Sequence, residues 1–448
     1  MVAILFDAAA KLITRTCILP RIIERIARME PVTGEKIHVH YDHNDGLESM
    51  RWTAREAYCF MYGRPWDQVV KFYAQLVDGQ LCLSSILGVQ RPLNGNPNLM
   101  PETCENAAMM NMNVKDRTGR WARTTFKIVV SYHGASFDGW QKQPNLNTVQ
   151  GSIEDALGRF VDEKKAMQLK DKSLPVQGCA VVAGRTDKGV TALQQVCSFY
   201  TWRTDVKVED IEAAVNSMVP GLLRVVSVVK VSRVFHPNFS AKWRRYFYIF
   251  PLSHGKYDND HNNGKVSVLT YLRGARKLQE NSILDGGETV GSLAVEDVKA
   301  FYCGSKPKVF SISKVNQMLQ QLEGKVLSYK MFARDTKASR STGPPTECFV
   351  YHARATEAKL PSHDEAHKEG SNVLCVELVA NRFLRKMVRV LVATSLREAA
   401  AGAPEDALLK LMNATCRRAT APPAPPQGLC LVDVGYHEEF TKEMALIS

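Results

Sequence analysis

The strongest constraint on the fold of this chain is an alternation of strand and helix patterns between Trp121 and Phe250. Runs of β-branched and aromatic residues indicate strands, and apolar residues three or four apart indicate amphipathic helices. Strands interleaved with helices in this order predict the α+β class. The predicted strands are Phe126–Tyr132, Val196–Tyr200, Val225–Val231 and Tyr246–Phe250, and the predicted helices are Thr148–Val161 and Val208–Met218.

Regular patterns also occur on both sides of this region. Met50–Gly63 and Pro65–Gly79 have helical apolar spacing, and Trp52 and Trp66 would pack these helices against each other or against the main body. The chain from His254 to Ser311 is polar and rich in glycine and asparagine, which indicates an inserted loop. The later predicted elements are helix Val315–Leu322, strand Val373–Val379, the long helix Asn381–Ala401, an extended Pro-rich stretch Ala419–Pro426 and strand Leu429–Val434.

The charge of the chain indicates an anionic partner. Lys and Arg number 58 against 46 Asp and Glu, a formal net charge of +12. Nucleic acid is the commonest partner of such a protein, although a basic surface also serves solubility. The eleven cysteines form no C-x-x-C pair, so we interpret those in apolar runs, such as Cys197 and Cys375, as buried thiols of a reducing compartment.

The N-terminal 30 residues do not decide in which cellular compartment the protein is located. Between Ala8 and Met29 there are five basic residues and one acid, which resembles an organelle-targeting segment, but Pro20 interrupts a continuous helix. Localisation in nucleus or cytoplasm and import into an organelle therefore both remain open. No apolar run reaches the ~18 residues of a membrane span. His38, His40 and His43 have no completing ligand pattern, so no metal is expected.

One short segment has the composition of a catalytic loop. In Val181-Val-Ala-Gly-Arg-Thr-Asp-Lys-Gly-Val-Thr-Ala192, two glycines allow a tight turn around Arg185, Asp187 and Lys188. A carboxylate between two cations is held ionised, as a nucleophile or general base must be. The alternative is a solvated turn with its charges directed outward.

Two further segments combine cations with apolar or aromatic residues. On a helix starting at Asn381, residues Arg382, Arg385, Lys386 and Arg389 share one face, which would suit phosphates or a catalytic carboxylate; the alternative is an ordinary solvated face. In Phe235–Tyr248, Arg244 and Arg245 alternate with Trp243, Tyr246 and Tyr248. Basic and aromatic side chains together are typical of RNA recognition, although an edge strand with aromatic packing has the same composition.

Taken together, these motifs resemble the TruA-type tRNA pseudouridine synthase family over roughly 126–436. The match comprises Tyr132-His-Gly-Ala-Ser-Phe-Asp-Gly-Trp-Gln141, Thr148-Val-Gln-Gly151, Ala183–Ala192, Phe239-Ser-Ala with Arg244-Arg-Tyr246, Phe383-Leu with Met387-Val-Arg389, and Pro422-Pro-Ala with Gly428-Leu429. The chain departs from the family pattern at Asn238, where many members have a basic residue, and in the region 333–346.

The resemblance implies a role for each matching residue. Asp187 would be the catalytic carboxylate, Arg185 would displace the target base, Tyr246 would stack on the uracil and Arg389 would pair with Asp187. We expect Arg244, Arg245, Arg385 and Lys386 to contact RNA. The implied activity is isomerisation of specific tRNA uridines, in the anticodon arm, to pseudouridine. It requires no cofactor.

The resemblance also implies two ferredoxin-like or RRM-like halves whose antiparallel sheets join around a central cleft. The N-terminal helical appendage predicted from residue spacing lies outside the resemblance. The expected divisions are a targeting segment at 1–30, an appendage and linker at 31–120, the N-terminal catalytic half at 121–250, the polar insertion at 251–312 and the C-terminal half at 313–440. Members are homodimers or monomers, and both states stay open here. Two rival functions remain: a catalytically silent tRNA-binding or chaperone protein, and an interaction protein that acts through residues 1–115.

Overall fold

An open, mostly antiparallel sheet of nine strands forms the frame of the protein in this computed structural model. The structure describes residues 46–87, 123–253, 306–334, 345–361, 370–414, 416–436 and 438–447. The strands are β1 Thr124–Tyr132, β2 Val181–Val182, β3 Thr191–Thr201, β4 Leu223–Val231, β5 Trp243–Pro251, β6 Val326–Ser328, β7 Glu347–Leu360, β8 Ser371–Ala380 and β9 Leu429–Gly435.

The strand order is β4-β1-β3-β9-β5-β8-β7-β6, and β2 pairs with β3. Strands β3 and β9 are parallel, with Thr191 opposite Cys430, whereas the other pairs are antiparallel. This pair joins strands from before and after the polar insertion. The mixed α and β content and the antiparallel sheet expected from the sequence are therefore confirmed.

Helices cover both faces of the sheet. Within the described residues they are α1 Ala54–Tyr62, α2 Trp66–Asp78, α3 Ser84–Leu87, α4 Val149–Leu157, α5 Glu163–Asp171, α6 Val208–Asn216, α7 Ile312–Gln320, α8 Met387–Ala400 and α9 Ala407–Met412. Capping residues in the sequence determine where several of these helices begin and end. Thr53 begins α1 through a capping box with Glu56, and Gly79 ends α2 in a left-handed conformation, with φ +83°.

The period-two alternation of the strands places the two largest hydrophobic clusters of the core on opposite faces of the sheet. On β5, Tyr246, Tyr248 and Phe250 face the larger cluster, which includes residues of α1, α4, α6, α7 and α8. Phe247 and Ile249 face the opposite side, where α2 and α3 cover the sheet. Alternate residues of a strand point to opposite faces of the sheet. The N-terminal helices pack on the main body, because α1 contributes to the larger cluster and α2 and α3 to the one on the opposite face.

The sequence analysis predicted a long helix from Asn381 to Ala401. Its predicted start is wrong, because α8 begins only at Met387. Lys386, immediately before it, has a left-handed backbone with φ +60°. Asn381 uses its backbone and side chain to hydrogen-bond with Phe349 at the start of β7. These tertiary bonds replace the helical ones, so Arg382, Arg385 and Lys386 do not share a helix face with Arg389.

Other elements differ less from expectation. The sequence analysis did not predict strands β6 and β7 or helix α5. In the case of β7, polar and apolar residues do not alternate regularly. The extended Pro-rich stretch is confirmed between short 3₁₀ turns at Arg417–Ala419 and Pro426–Gly428. Cys197 and Cys375 are buried thiols, as predicted.

Several predictions fall outside the described residues. They concern the targeting segment 1–30, the histidines His38, His40 and His43, the linker before residue 120 and most of the polar insertion. In the described segments, no helix is long and apolar enough to cross a membrane. The same segments hold no cluster of three or more His, Cys, Asp or Glu that could bind a metal ion.

Candidate active site

Asp187 lies in the loop that connects β2 to β3, and hydrogen bonds fix the residues around it. The hydroxyl groups of Thr186 and Tyr132 are 2.7 Å apart. Gln195 of β3 donates to the Gly184 carbonyl at 2.8 Å, and the Trp140 amide donates to the Thr186 carbonyl at 3.1 Å. These bonds hold the residues that precede Asp187, whose side chain is 27% exposed.

A glycine that the sequence analysis did not single out allows this loop to pack closely. Gly139 has φ +99°, and a Cβ there would lie 3.0 Å from the Lys188 amide nitrogen and 3.2 Å from the Asp187 carbonyl carbon. Such a contact is too tight for a side chain, so only glycine fits this backbone position. The Gly-Trp pair in the 132–141 motif was the available signal.

Lys188 is paired elsewhere, although the sequence places it next to Asp187. Its ammonium group contacts Asp138 Oδ1 at 2.6 Å, in a largely exposed ion pair. That contact lowers the pKa of the Asp138 carboxyl group. The expectation that Lys188 flanks the carboxylate of Asp187 electrostatically is therefore not supported by the geometry.

The cation that contacts Asp187 is Arg389, from the first turn of α8. Its Nη1 lies 2.9 Å from Asp187 Oδ2. Its Nε donates to the Ala424 carbonyl at 2.6 Å, and the Ala424 amide returns a bond to the Arg389 carbonyl at 3.0 Å. Arg389 is 8% exposed. Because the guanidinium donates to the fixed Ala424 carbonyl as well as to Asp187, it also fixes the direction of the Asp187 carboxylate.

Tyr246 lies on the same face of β5 as the catalytic loop. Its ring meets the edge of the Phe383 ring, with centroids 5.0 Å apart at 86°. Burial raises the pKa of Tyr246 to about 12; the positive charge of Arg244 lowers it, and the negative charge of Asp187 raises it. Tyr246 is therefore a neutral aromatic group near the carboxylate, suited to contact a planar base.

Arg244 connects three segments around this site. Its guanidinium donates to the carbonyls of Asn381 at 2.8 Å, Ala183 at 3.0 Å and Asn238 at 3.0 Å. It also donates to the side-chain oxygen of Asn238 at 2.7 Å. Asn238, the departure from the family pattern, therefore helps to hold Arg244. These buried contacts favour a structural role for Arg244 over the expected RNA contact.

Arg245 faces the other side of the sheet. Its Nε lies 3.3 Å from Glu377 Oε1, and its Nη2 donates to the Met444 carbonyl at 2.6 Å. Both charged side chains are buried. Strand alternation separates Arg245 from Arg244 and Tyr246, so its geometry also favours a structural role over the expected RNA contact.

The remaining candidate residues lie at the surface around the site. Arg185 is exposed in the catalytic loop, two residues before Asp187. Arg385 is exposed and Lys386 is half-buried in the irregular segment before α8. They belong to the same connection that carries Phe383 to Tyr246. The structure thus brings Asp187, Arg389 and Tyr246 together and leaves Arg185 and Arg385 accessible to a large ligand.

A residue far from the recognised motifs also lies near this group. Burial raises the pKa of Tyr62, the last residue of α1, and the positive charge of Arg389 lowers it. Nothing in the sequence near Tyr62 indicates this proximity, because the two residues are remote in the chain and only the tertiary fold brings them together.

Comparison with known proteins agrees with the motifs. Residues 319–437 match the family model described as tRNA pseudouridine synthase. A tRNA pseudouridine synthase A from Leptospira biflexa is 38% identical over 141 residues, which are 32% of this chain and 48% of the relative. This alignment spans about half of the length of the Leptospira protein.

Two other relatives align over nearly their full length. A tRNA pseudouridine synthase A from Ligilactobacillus salivarius is 28% identical over 71% of this chain and 98% of its own. The Borrelia turicatae protein of the same name is 26% identical over 68% of this chain and 97% of its own. A solved structure described as an unknown protein from Galdieria sulphuraria has 11% identity and a TM-score of 0.14 over 62% of this chain and 94% of its own, too low a likeness to support an argument. The family match and these relatives agree in making the chain similar to tRNA pseudouridine synthases of the TruA type.

Proposed function

We propose that the protein isomerises specific uridines in tRNA to pseudouridine, with Asp187 as the catalytic carboxylate. The observation that carries the proposal is the 2.9 Å ion pair between Asp187 and the buried Arg389, next to the neutral ring of Tyr246. A fixed carboxylate beside an aromatic surface suits a reaction at the sugar of a planar base. The likeness to proteins named tRNA pseudouridine synthase A supports the same activity.

In the proposed reaction, the target nucleotide leaves its stack, since an enzyme cannot reach the glycosidic bond inside a helix. Arg185 fills the vacated space, and the uracil stacks on Tyr246. Asp187 either attacks the sugar or removes a proton from it, and the bond between sugar and ring nitrogen breaks, its electron pair leaving with the uracil.

The uracil then rotates and bonds to the sugar through a ring carbon. That carbon loses its proton, and the released nitrogen gains one. Asp187 is regenerated, and substrate and product have the same atoms, so the reaction needs neither a redox carrier nor a group donor. Arg389 keeps the Asp187 carboxylate directed at the sugar throughout.

Finer parts of the proposal rest on the resemblance. We place the target uridines in the anticodon arm of tRNA, and we assign residues 121–250 and 313–440 to two ferredoxin-like halves around a cleft. The strand order supports two halves, because β1, β3 and β4 adjoin in the sheet and so do β5, β7, β8 and β9. A homodimer is the assembly proposed by analogy with bacterial members, and sedimentation of the full chain distinguishes it from a monomer.

Asp187→Asn tests the proposal, because it keeps the shape of the side chain and removes its charge. Pseudouridine in tRNA is mapped after the protein is removed from its cells and then restored as wild type or as variant. We expect specific uridines to lose the modification and only wild type to restore it. Those sites also identify the tRNA position and the compartment.

Asp138→Asn is the matched control, since Asp138 lies beside the same loop and its exposed pair with Lys188 contributes little. We expect this variant to restore the modification. Full activity of Asp187→Asn would exclude the catalytic assignment. A protein that binds tRNA but changes no uridine would instead be the silent binding protein left open by the sequence.

A further inference from the structure

The guanidinium that contacts Asp187 is held by the Pro-rich connection before β9. Arg389 Nε donates to the Ala424 carbonyl at 2.6 Å, and the Ala424 amide donates to the Arg389 carbonyl at 3.0 Å. Four prolines, at positions 422, 423, 425 and 426, surround Ala424. A proline ring fixes φ at about −65°, so this stretch is stiff. The direction of the guanidinium therefore depends on what holds the stretch in place.

One support comes from the sheet, through Tyr248 of β5. Its hydroxyl donates to the Pro425 carbonyl at 2.8 Å, and its ring is completely buried. Burial raises the pKa of Tyr248 well above its ordinary value, so the hydroxyl stays protonated and remains a donor. Only φ and ψ of Pro425 separate the peptide plane that Tyr248 holds from the plane that carries the Ala424 carbonyl, and the ring fixes φ. A bond at Pro425 is therefore transmitted directly to Ala424.

A second tyrosine holds the far end of the same connection. Tyr73 of α2 is also buried, and its hydroxyl donates to the Gly428 carbonyl at 2.9 Å. Gly428 ends a 3₁₀ turn and directly precedes β9. The backbone of Gln427, whose φ no ring fixes, lies between this bond and Ala424. The two tyrosines thus make the same kind of bond to one connection, but only Tyr248 acts on the residue next to Ala424.

We infer that Tyr248 is a positioning residue, which fixes the Ala424 carbonyl and so the direction of the Arg389 guanidinium. The guanidinium in turn directs the carboxylate of Asp187. Tyr248 faces the same cluster as Tyr246, two residues earlier on β5, so one strand supplies both the aromatic group for the base and the support of the ion pair. The inference rests on the proposed function, because it assigns Tyr248 a part in that reaction.

Tyr248→Phe tests the inference, because it removes one hydroxyl group and keeps the ring, which lies edge-on to Trp66 with centroids 6.2 Å apart. Each full-length variant is used in excess over a tRNA transcript. The single-turnover rate of pseudouridine formation and the Kd for the transcript are measured separately. We expect Tyr248→Phe to react about fivefold more slowly, the rate equivalent of one hydrogen bond between uncharged groups, with an unchanged Kd.

Tyr73→Phe is the matched control, since it removes the same kind of donor from another buried carbonyl of the same connection. We expect both variants to lower the urea midpoint by similar amounts. The rate of Tyr73→Phe should stay within about twofold of wild type. A purely structural role of Tyr248 would instead give the two variants equal rates, because their stabilities are equal.

A double variant tests whether Tyr248 acts through Arg389. In Arg389→Lys, one amino group replaces the planar guanidinium and cannot hold both Asp187 and the Ala424 carbonyl. Whichever bond is lost, the connection no longer reaches Asp187. Adding Tyr248→Phe should then slow the reaction little further, because residues of one hydrogen-bond network are not additive.

Three results would overturn the inference: equal rates for Tyr248→Phe and Tyr73→Phe, an undiminished effect of Tyr248→Phe in the Arg389→Lys background, or a defect confined to Kd. Wild type and Asp187→Asn in the same assay separate the inference from the proposed function. An active wild type and an inactive Asp187→Asn, together with any of these three results, reject the inference and leave the proposed function intact. A wild type that forms no pseudouridine rejects both.

Discussion

Replacing Arg389 with lysine tests how much the reaction depends on the geometry of the Asp187 ion pair and how much on charge alone. Lysine keeps the positive charge but has one amino group on a flexible chain, whereas the planar guanidinium donates in several fixed directions. Arg389 donates in two of these directions: Nη1 to Asp187 Oδ2 at 2.9 Å and Nε to the Ala424 carbonyl at 2.6 Å. Lysine at this position is expected to keep one bond and lose the other.

The size of the effect follows from the lost bond. A hydrogen bond that involves a charged group contributes about 1.5–3 kcal/mol, and each 1.36 kcal/mol in a barrier is about tenfold in rate. If the carboxylate loses its fixed direction, the rate constant falls by about tenfold to about 100-fold. The Kd for tRNA stays within about twofold, because Arg389 is buried and adds little to long-range phosphate attraction.

Single-turnover kinetics on a tRNA transcript measure the rate constant, and filter binding measures the Kd. Arg389→Met is the companion variant, because it removes the charge and leaves Asp187 without its counterion. We expect it to lose at least another tenfold in rate relative to lysine. A lysine variant with the wild-type rate, or one whose entire defect lies in Kd, would refute the view that Arg389 orients the carboxylate.

Three further predictions concern RNA binding, stability and pH. Arg385→Ala, at an exposed site, should raise the Kd for tRNA and reduce the salt dependence of binding by about one counterion. Arg245→Met should lower the free energy of unfolding by about 3 kcal/mol, because the buried Glu377 loses its arginine counterion and keeps only the amides of Leu446 and Ile447 and the nearby His352; equal Kd values for both variants would contradict this. Burial raises the pKa of Tyr132 and Tyr246, so above pH ~10 the unfolded chain loses protons that the native state keeps. The contribution of these two tyrosines to the free energy of unfolding should be fully present below that pH and should decrease as the pH rises. A urea midpoint that does not change from pH 8 to 11 would contradict this prediction.

The catalytic loop shows what the sequence could predict. Two glycines and a run of polar residues predict a tight turn that presents Asp187, and in the structure this turn connects β2 to β3. The neighbouring cation in the sequence, Lys188, contacts Asp138 instead. The cation that does contact Asp187 is 202 residues away, a separation that no local pattern encodes. Only the family resemblance linked Asp187 with Arg389.

Strand β5 carries a sequence signal, its period-two alternation, that the prediction of RNA contacts did not use. Arg244 and Arg245 were grouped as RNA contacts because both are cations beside aromatic residues. Period-two alternation already separates them, since adjacent residues of a strand face opposite sides of the sheet. What alternation cannot supply is the partner on each face: the carbonyls of Ala183 and Asn381 for Arg244, and the Glu377 carboxylate for Arg245.

The N-terminal helices show the opposite case, in which local structure was predictable and its role was not. Capping residues and apolar spacing give α1 and α2 with small errors at the ends. Nothing in their own residues indicates that one would end near Arg389. A helix is determined by nearby residues, whereas its docking site depends on surfaces formed elsewhere in the chain.

Arg389 also explains why this site can exist only in a completed fold. Its hydrogen-bond partners are Asp187 from the loop before β3 and the Ala424 carbonyl from the connection before β9. Since β3 and β9 are the parallel neighbours at the centre of the sheet, their pairing brings the two partners together. A partly folded chain would leave a guanidinium or a carboxylate buried without its counterion, which is strongly unfavourable. The ion pair that orients Asp187 therefore also favours joining strands from distant parts of the sequence, so the catalytic geometry and the central strand pairing stabilise each other.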